Sequence, residues 1–226
     1  IMDGEKEFEA VKKMHSILSA SDTINLGYNT ISFDDEFMRF VYDRNLLNPY
    51  SNQNNQNNCA RMDVMPITIL YFLYQKNALR WPDINGRPNL KLENLNELNG
   101  LAQGMAHDAL VDVQATIELA KRLRNENQDM WDYLCQGFNK DTDLRRIDKL
   151  DKIILSNGME CEKGIFIRNR FGYNNNCMSL CIQILYQEEK NNSFWLRLDT
   201  KDFNSIQSRN ILSELEKSTV RRKIGV

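Results

Sequence analysis

Two short segments carry side chains whose types and spacing could do hydrolytic chemistry. In GYNTISFDDE, residues 27–36, a strand ends, Asn29 follows, and Asp34 stands directly after Phe33 where a helix begins. A carboxylate at such a junction is held by rigid backbone and faces the strand ends, where metal and phosphate sites are commonly built. In AHDALVDV, residues 106–113, Asp108 suits the N-cap of a helix, which puts His107 just outside it and Asp112 inside its second turn. That pairing suits a metal ligand beside a general base for water. Each residue also has a plainer use. Asp34 can simply cap its helix, His107 can be a polar loop residue, and Asp112 is favoured by the helix dipole. Taken singly, the plainer uses win. The other histidine, His15, falls on a charged amphipathic helix and reads as solvated surface.

The elements that must position these groups follow from periodicity. Phe8, Val11, Met14, Ile17 and Leu18 recur at helical spacing over residues 5–19. Residues 22–29 alternate and predict a strand, and 34–47 a helix that Asp34 or Asp35 would cap. SNQNNQNN, 51–58, is too polar to pack and reads as an exposed loop. Helix returns over 63–78, with Pro66 tolerable near the first turn. Residues 80–89 read as loop, 92–99 as a short helix stopped by Gly100, and 108–126 as a long helix followed by another through about 140. From about 151 the chain reads as short strands, KIILS, GIFIRNR, CMSLCIQILYQ and SFWLRLD, separated by Asn- and Gly-rich turns. A last helix is expected near 208–217, before a basic tail. The predicted class is α/β followed by a small β-rich part, with the boundary between 140 and 150.

Composition narrows the function. The chain has 226 residues, 42% apolar and 27% charged, with a net charge of -2 and a mean hydropathy of -0.55. That is enough apolar surface for a real core, and no apolar run approaches the ~18 residues a membrane span needs. There is no overall basic excess, so a nucleic-acid partner would need a local groove. The cysteines, Cys59, Cys135, Cys161, Cys177 and Cys181, include no CxxC pair and have no nearby histidine. They read as reduced, packed thiols, and so as a reducing compartment, most simply the cytoplasm. In the strand region Arg168, Arg170, Tyr173, Trp195 and Arg197 interleave cations with aromatics. They could grip a single strand, but an ordinary half-buried sheet is the better reading. Because Ile1 is not an initiator methionine, the sequence is expected to be processed or a piece of a longer one.

Taken together, the two segments resemble the DEDD-type 3′→5′ exonucleases, in which an acid follows N-x(2–3)-F and a third motif reads H-x4-D. GYNTISFDDEFMRF with VYDRNLLNPY, then CARMD, then RWP with RPNLKLENL and LNG, then AHDALVDVQATIELAK are similar to the bacterial exodeoxyribonuclease I family, in order and near-family spacing over residues 27–123. DYLCQGFNK and the SNGM region are similar to the same family at the entry to its SH3-like domain.

The resemblance implies an RNase H-like exonuclease domain, incomplete at its N-terminus, over 1–145 and a partial SH3-like domain over 146–226. It implies removal of nucleotides from the 3′ end of single-stranded DNA by two-metal-ion hydrolysis, with two Mg²⁺ ions, in DNA repair. Asp34 and Asp112 match metal-binding acids, and His107 the residue that deprotonates the attacking water. Arg39 and Tyr50 match positions that contact the strand, and Lys91 falls where the family usually has an arginine, keeping the charge without the bidentate fork. A single-strand-binding protein is the implied partner, no membrane is involved, and the intact enzyme would be a monomer.

Departures are equally specific. The family's first motif, Asp-x-Glu on the first strand of the sheet, has no counterpart here and is expected upstream of residue 1. The segment similar to Y-x-L-R-P-E-G-I-x-W-P reads YFLYQKNALRWP, with Tyr74 or Gln75 in place of the arginine. The expected rival to a fragment of an exonuclease is therefore a catalytically inactive nucleic-acid-binding or adaptor protein of the same descent.

Overall fold

In the computed structural model, residues 4–31, 33–53, 58–104, 108–154, 158, 160–187 and 192–199 are described. His107 and the helix expected near 208–217 lie outside them. The chain divides into two compact units, Ile1–Asp143 and Leu144–Val226. No described helix is long and apolar enough to cross a membrane.

The first unit opens with α1 (Glu7–Leu18), β1 (Ile24–Gly27) and α2 (Asp34–Arg44). β2 (Ala60–Asp63) then pairs with β1 in parallel, from Ile24 opposite Ala60 to Gly27 opposite Asp63. β2 is a strand that periodicity did not predict, because four residues show no alternation to read. α2 also ends three residues early. Leu46 turns to a φ of 58°, and its amide bonds to Asp43 O at 3.0 Å, which closes the helix. The SNQNNQNN stretch is not wholly exposed: Ser51 and Asn52 are buried. His15 is not solvated surface either. Its Nε2 lies 2.7 Å from Ser51 Oγ, and its ring meets the edge of Tyr42 at 4.9 Å.

α3 (Val64–Tyr74) is apolar nearly all round and correspondingly central. Val64, Met65, Ile67, Ile69 and Tyr71 are buried, and buried Thr68 is satisfied by donating to Val64 O at 2.9 Å. Over 83–88 the expected loop contains a minimal hairpin, β3 (Asp83–Ile84) and β4 (Arg87–Pro88), turned by Asn85 and Gly86. Both turn residues have positive φ, the requirement of the tight primed turn. α4 (Leu92–Asn99) ends at Gly100 in the left-handed conformation, as the sequence predicts. α5 (Ala109–Glu126) buries Val111, Ala115, Leu119 and Leu123, a four-residue repeat along one face, and packs against α3 and α4. Burying each of the two leucines contributes about 1.5–3 kcal/mol. α6 (Gln128–Cys135) follows. α7 (Lys140–Ile147), which the sequence reading did not separate, spans the division between the units.

In the second unit β5 (Lys152–Ile154), β6 (Glu160–Ile167), β7 (Met178–Gln187) and β8 (Asn192–Arg197) form one antiparallel sheet in chain order. Cys161, Cys177, Cys181, Ile182 and Trp195 are buried, with Trp195 tilted on Phe166 at 4.9 Å. All five cysteines are free, and burial pushes the Cys177 thiol up to about 11. Arg197 lies over the Phe171 ring at 4.4 Å and pairs with Asp199 at 2.9 Å, so it is committed within the unit.

Candidate metal and nucleic-acid site

β1 delivers the chain into a tight loop, and the loop delivers Asp34. Gly27 closes so far onto the loop that a Cβ there would run into the Thr30 side chain. Asn29 takes a φ of 59°, which asparagine tolerates better than most residues. The carbonyl of Thr30 accepts the amides of Phe33 at 3.3 Å and Asp35 at 3.1 Å. Asp34, the first residue of α2, lies between them. It does not cap the helix as expected: Phe33 occupies that position, with no side-chain bond. Freed from capping, the exposed Asp34 carboxylate stands at the positive end of the helix dipole. Among the described residues it has no ion pair.

Asp63 anchors this loop from the end of β2. Its buried carboxylate accepts the amides of Asn29 at 2.7 Å, Ile31 at 3.4 Å and Met65 at 2.9 Å, the last as N-cap of α3. Burial raises its pKa above the ordinary carboxylate value, against the pull of the amides of Met65, Asn29, Ile31 and Thr30. Two residues before it on β2, Arg61 pairs with Asp35 at 2.9 Å, and both are half-buried. Burial pushes Asp35 up and Arg61 down, each against the attraction of its partner. A part-buried pair that links β2 to α2 in this way fixes geometry more than it stabilises.

The same helix brings two predicted strand-contacting residues together. The Arg39 guanidinium lies 6.0 Å from the centre of the Tyr50 ring while also reaching Glu36 at 3.2 Å. A cation over an exposed aromatic offers both a phosphate grip and a stacking face. Lys91 caps α4 with extended backbone, its ammonium exposed and 3.5 Å from Glu93. Asp112 lies in the first turn of α5, behind an N-cap in which Asp108 accepts the Leu110 amide at 2.9 Å. The cap was legible; the expected second-turn position moves into the first. No described hydrogen bond or ion pair joins Lys91 or Asp112 to the Asp34–Arg39–Tyr50 group.

A magnesium ion takes one or two protein carboxylates and keeps several waters. Asp34 and Asp112, both at helix starts and without a cationic partner among the described residues, suit that donor chemistry. No group of three His, Cys, Asp or Glu side chains gathers among the described residues. Sequence reasoning missed Asp63, Arg61 and Asp35 as a set. The available signal was an acid ahead of the 64–74 helix with Pro66 in its first turn.

Exodeoxyribonuclease I of Buchnera aphidicola from Schizaphis graminum is 34% identical over 150 residues, 66% of this chain and 31% of that protein. Exodeoxyribonuclease I of Escherichia coli K12 is 34% identical over 146 residues, 64% of this chain and 30% of that one. The solved structure of exonuclease I described as suggesting how processivity is achieved matches at a TM-score of 0.79 and 25% identity, over 96% of this chain and 45% of that chain. The chain is a homologue of exodeoxyribonuclease I. It spans less than half the length of these relatives. Solved exonuclease I structures also include a complex with a 5cy-dA13 oligonucleotide, at a TM-score of 0.78 and 25% identity over 98% of this chain and 46% of that one. Another is of SSB and exonuclease I with an inhibitor, at a TM-score of 0.76 and 26% identity over 90% of this chain and 43% of that one. No protein-family model matches the chain. The mixed α/β fold and the four-stranded antiparallel sheet accord with the exodeoxyribonuclease I relation.

Proposed function

We propose that this chain carries part of a 3′→5′ exonuclease acting on single-stranded DNA, its first unit a partial RNase H-like domain and its second a partial SH3-like one. The observation that carries the reading is the placing of Asp34 and Asp112, the two motif acids, at helix starts with no cationic partner among the described residues. In this reading both carboxylates hold Mg²⁺. Two such ions, when bound, activate water and steady both oxygens of the phosphodiester exchange. Arg39 grips a phosphate beside Tyr50, which stacks a base, while Lys91 adds a point charge along the strand. His107 takes the proton of the attacking water. An SSB-type protein is the proposed partner, by analogy with its exonuclease I homologues.

The test uses single-stranded DNA labelled at its 5′ end, with Mg²⁺. A polypeptide of these 226 residues is expected to leave it intact, because two acids and one histidine cannot hold two ions in register. The same residues joined to a segment with an Asp-x-Glu strand are expected to shorten it from the 3′ end, and Asp34→Asn or Asp112→Asn to stop that. Digestion by the 226 residues alone, abolished by Asp112→Asn, would refute the need for further ligands. Strand binding without digestion in every form would favour the inactive binding protein.

A further inference from the structure

We propose that Asp63 is a positioning residue for the ion-binding carboxylate of Asp34, acting through the backbone of the loop between β1 and α2. The inference rests on the reading of Asp34 as a ligand. The relay is continuous. The Asp63 carboxylate accepts the amides of Asn29 and Ile31 at 2.7 and 3.4 Å. These residues flank Thr30, whose carbonyl accepts the amides of Phe33 and Asp35 at 3.3 and 3.1 Å. Those two in turn flank Asp34. A second tie reaches the same turn of helix from the same strand, where Arg61 pairs with the Asp35 side chain at 2.9 Å. Asp34 itself makes none of these bonds, so among the described residues its carboxylate stays free while its backbone is fixed on both sides. A buried carboxylate receiving several amides tolerates few alternatives, because without them it would itself be left unpaired away from water. Supporting groups of this kind set ligand geometry, and their loss typically weakens ion binding 10–100-fold.

Magnesium affinity of the 226-residue chain, read from amide shifts during a Mg²⁺ titration, tests the role. Asp63→Asn keeps the shape but turns a donor toward donors, and its affinity is expected to fall at least about tenfold. Gly27→Ala sets a methyl against the Thr30 side chain and so displaces the loop without changing any charge. It is expected to weaken the ion in the same way, separating positioning from lost charge. In the unaltered chain, reciprocity requires that Mg²⁺ slow hydrogen exchange at the amides of Asn29 and Ile31. A chain that binds Mg²⁺ no better than Asp34→Asn overturns the ligand reading itself, and the positioning role falls with it. Binding that depends on Asp34 but is equally tight in folded Asp63→Asn or Gly27→Ala overturns the positioning role alone. Should Asp63→Asn fail to fold, Gly27→Ala and the unaltered chain decide, and unchanged exchange at Asn29 and Ile31 would sink the proposal.

Discussion

The β1–β2 sheet of the first unit and the four-stranded sheet of the second are held together in different ways. In the second unit each strand pairs with its neighbour in sequence. Register there follows from inward side chains such as Cys161, Cys181 and Trp195. In the first unit β1 and β2 are brought together across the whole of α2, over a ladder of only four residues. Polar side chains stitch that junction: Asp63 to the loop after β1, Arg61 to α2, and Asn25 to Leu18 O at 2.7 Å. A local sheet can rely on its turns and core. A short non-local one needs buried polar ties, and these are what aim Asp34.

The largest effect expected from breaking this contrast lies in the apolar core of the second unit. Trp195→Ala removes a buried ring and is expected to cost about 3–5 kcal/mol. Urea unfolding, with hydrogen exchange followed in β7 and β8, would show it. A loss below about 1 kcal/mol, the scale of a surface change, would mean that the ring does not organise the sheet.

Two capping residues sharpen the other half of the contrast. Asp63 and Asp108 both accept an amide two residues on. Asp108 is exposed and does nothing else described, so Asp108→Ala should cost about 1 kcal/mol. Asp63→Ala loses the same cap and also the part-buried bonds to the amides of Asn29 and Ile31, at about 1–2 kcal/mol more. Equal losses in the two variants would show that the loop bonds of Asp63 carry no weight.

This contrast also marks what the sequence could disclose. Asp108 and Gly100 were readable because capping is chemistry within one turn. α5 was readable because burial imposes a period, and α3 because its apolar run is too long for a strand. In β7, Met178–Gln187, the strand was visible because a short apolar run sits between turn residues. β2 was not, since Ala60–Asp63 becomes a strand only by meeting β1. His15 looked like surface because nothing near it in sequence foretells Ser51 and Tyr42. Of the candidate site, the acids and Arg39 with Tyr50 came from motif resemblance. The Asp63 relay did not, because backbone amides bonding across chain-distant elements leave no pattern in residue types.

The smallest expected effect at neutral pH has the clearest pH signature. Tyr71 is buried in α3, and its hydroxyl donates to Asn127 O at 2.7 Å, tying α3 to the N-cap of α6. Tyr71→Phe keeps the ring and loses that bond, about 1 kcal/mol or less. Burial pushes the phenol up from 10.0 to about 12, with smaller help from the negative charges of Cys135, Glu126 and Asp132. Between those values the folded chain still holds a proton that the unfolded chain has released. The native state then binds more protons than the unfolded state, so the phenol's contribution to stability falls as pH rises from 10 to 12 and is flat below. Cys135, raised from 9.0 to about 11, acts in the same direction but starts lower. Urea midpoints measured from pH 8 to 12 should therefore show a downward slope that is shallower above pH 10 in Tyr71→Phe and unchanged below it. Midpoints of the two proteins that run parallel from pH 10 to 12 would mean that the phenol titrates alike in both states, and that its burial is not the constraint on α3 described above.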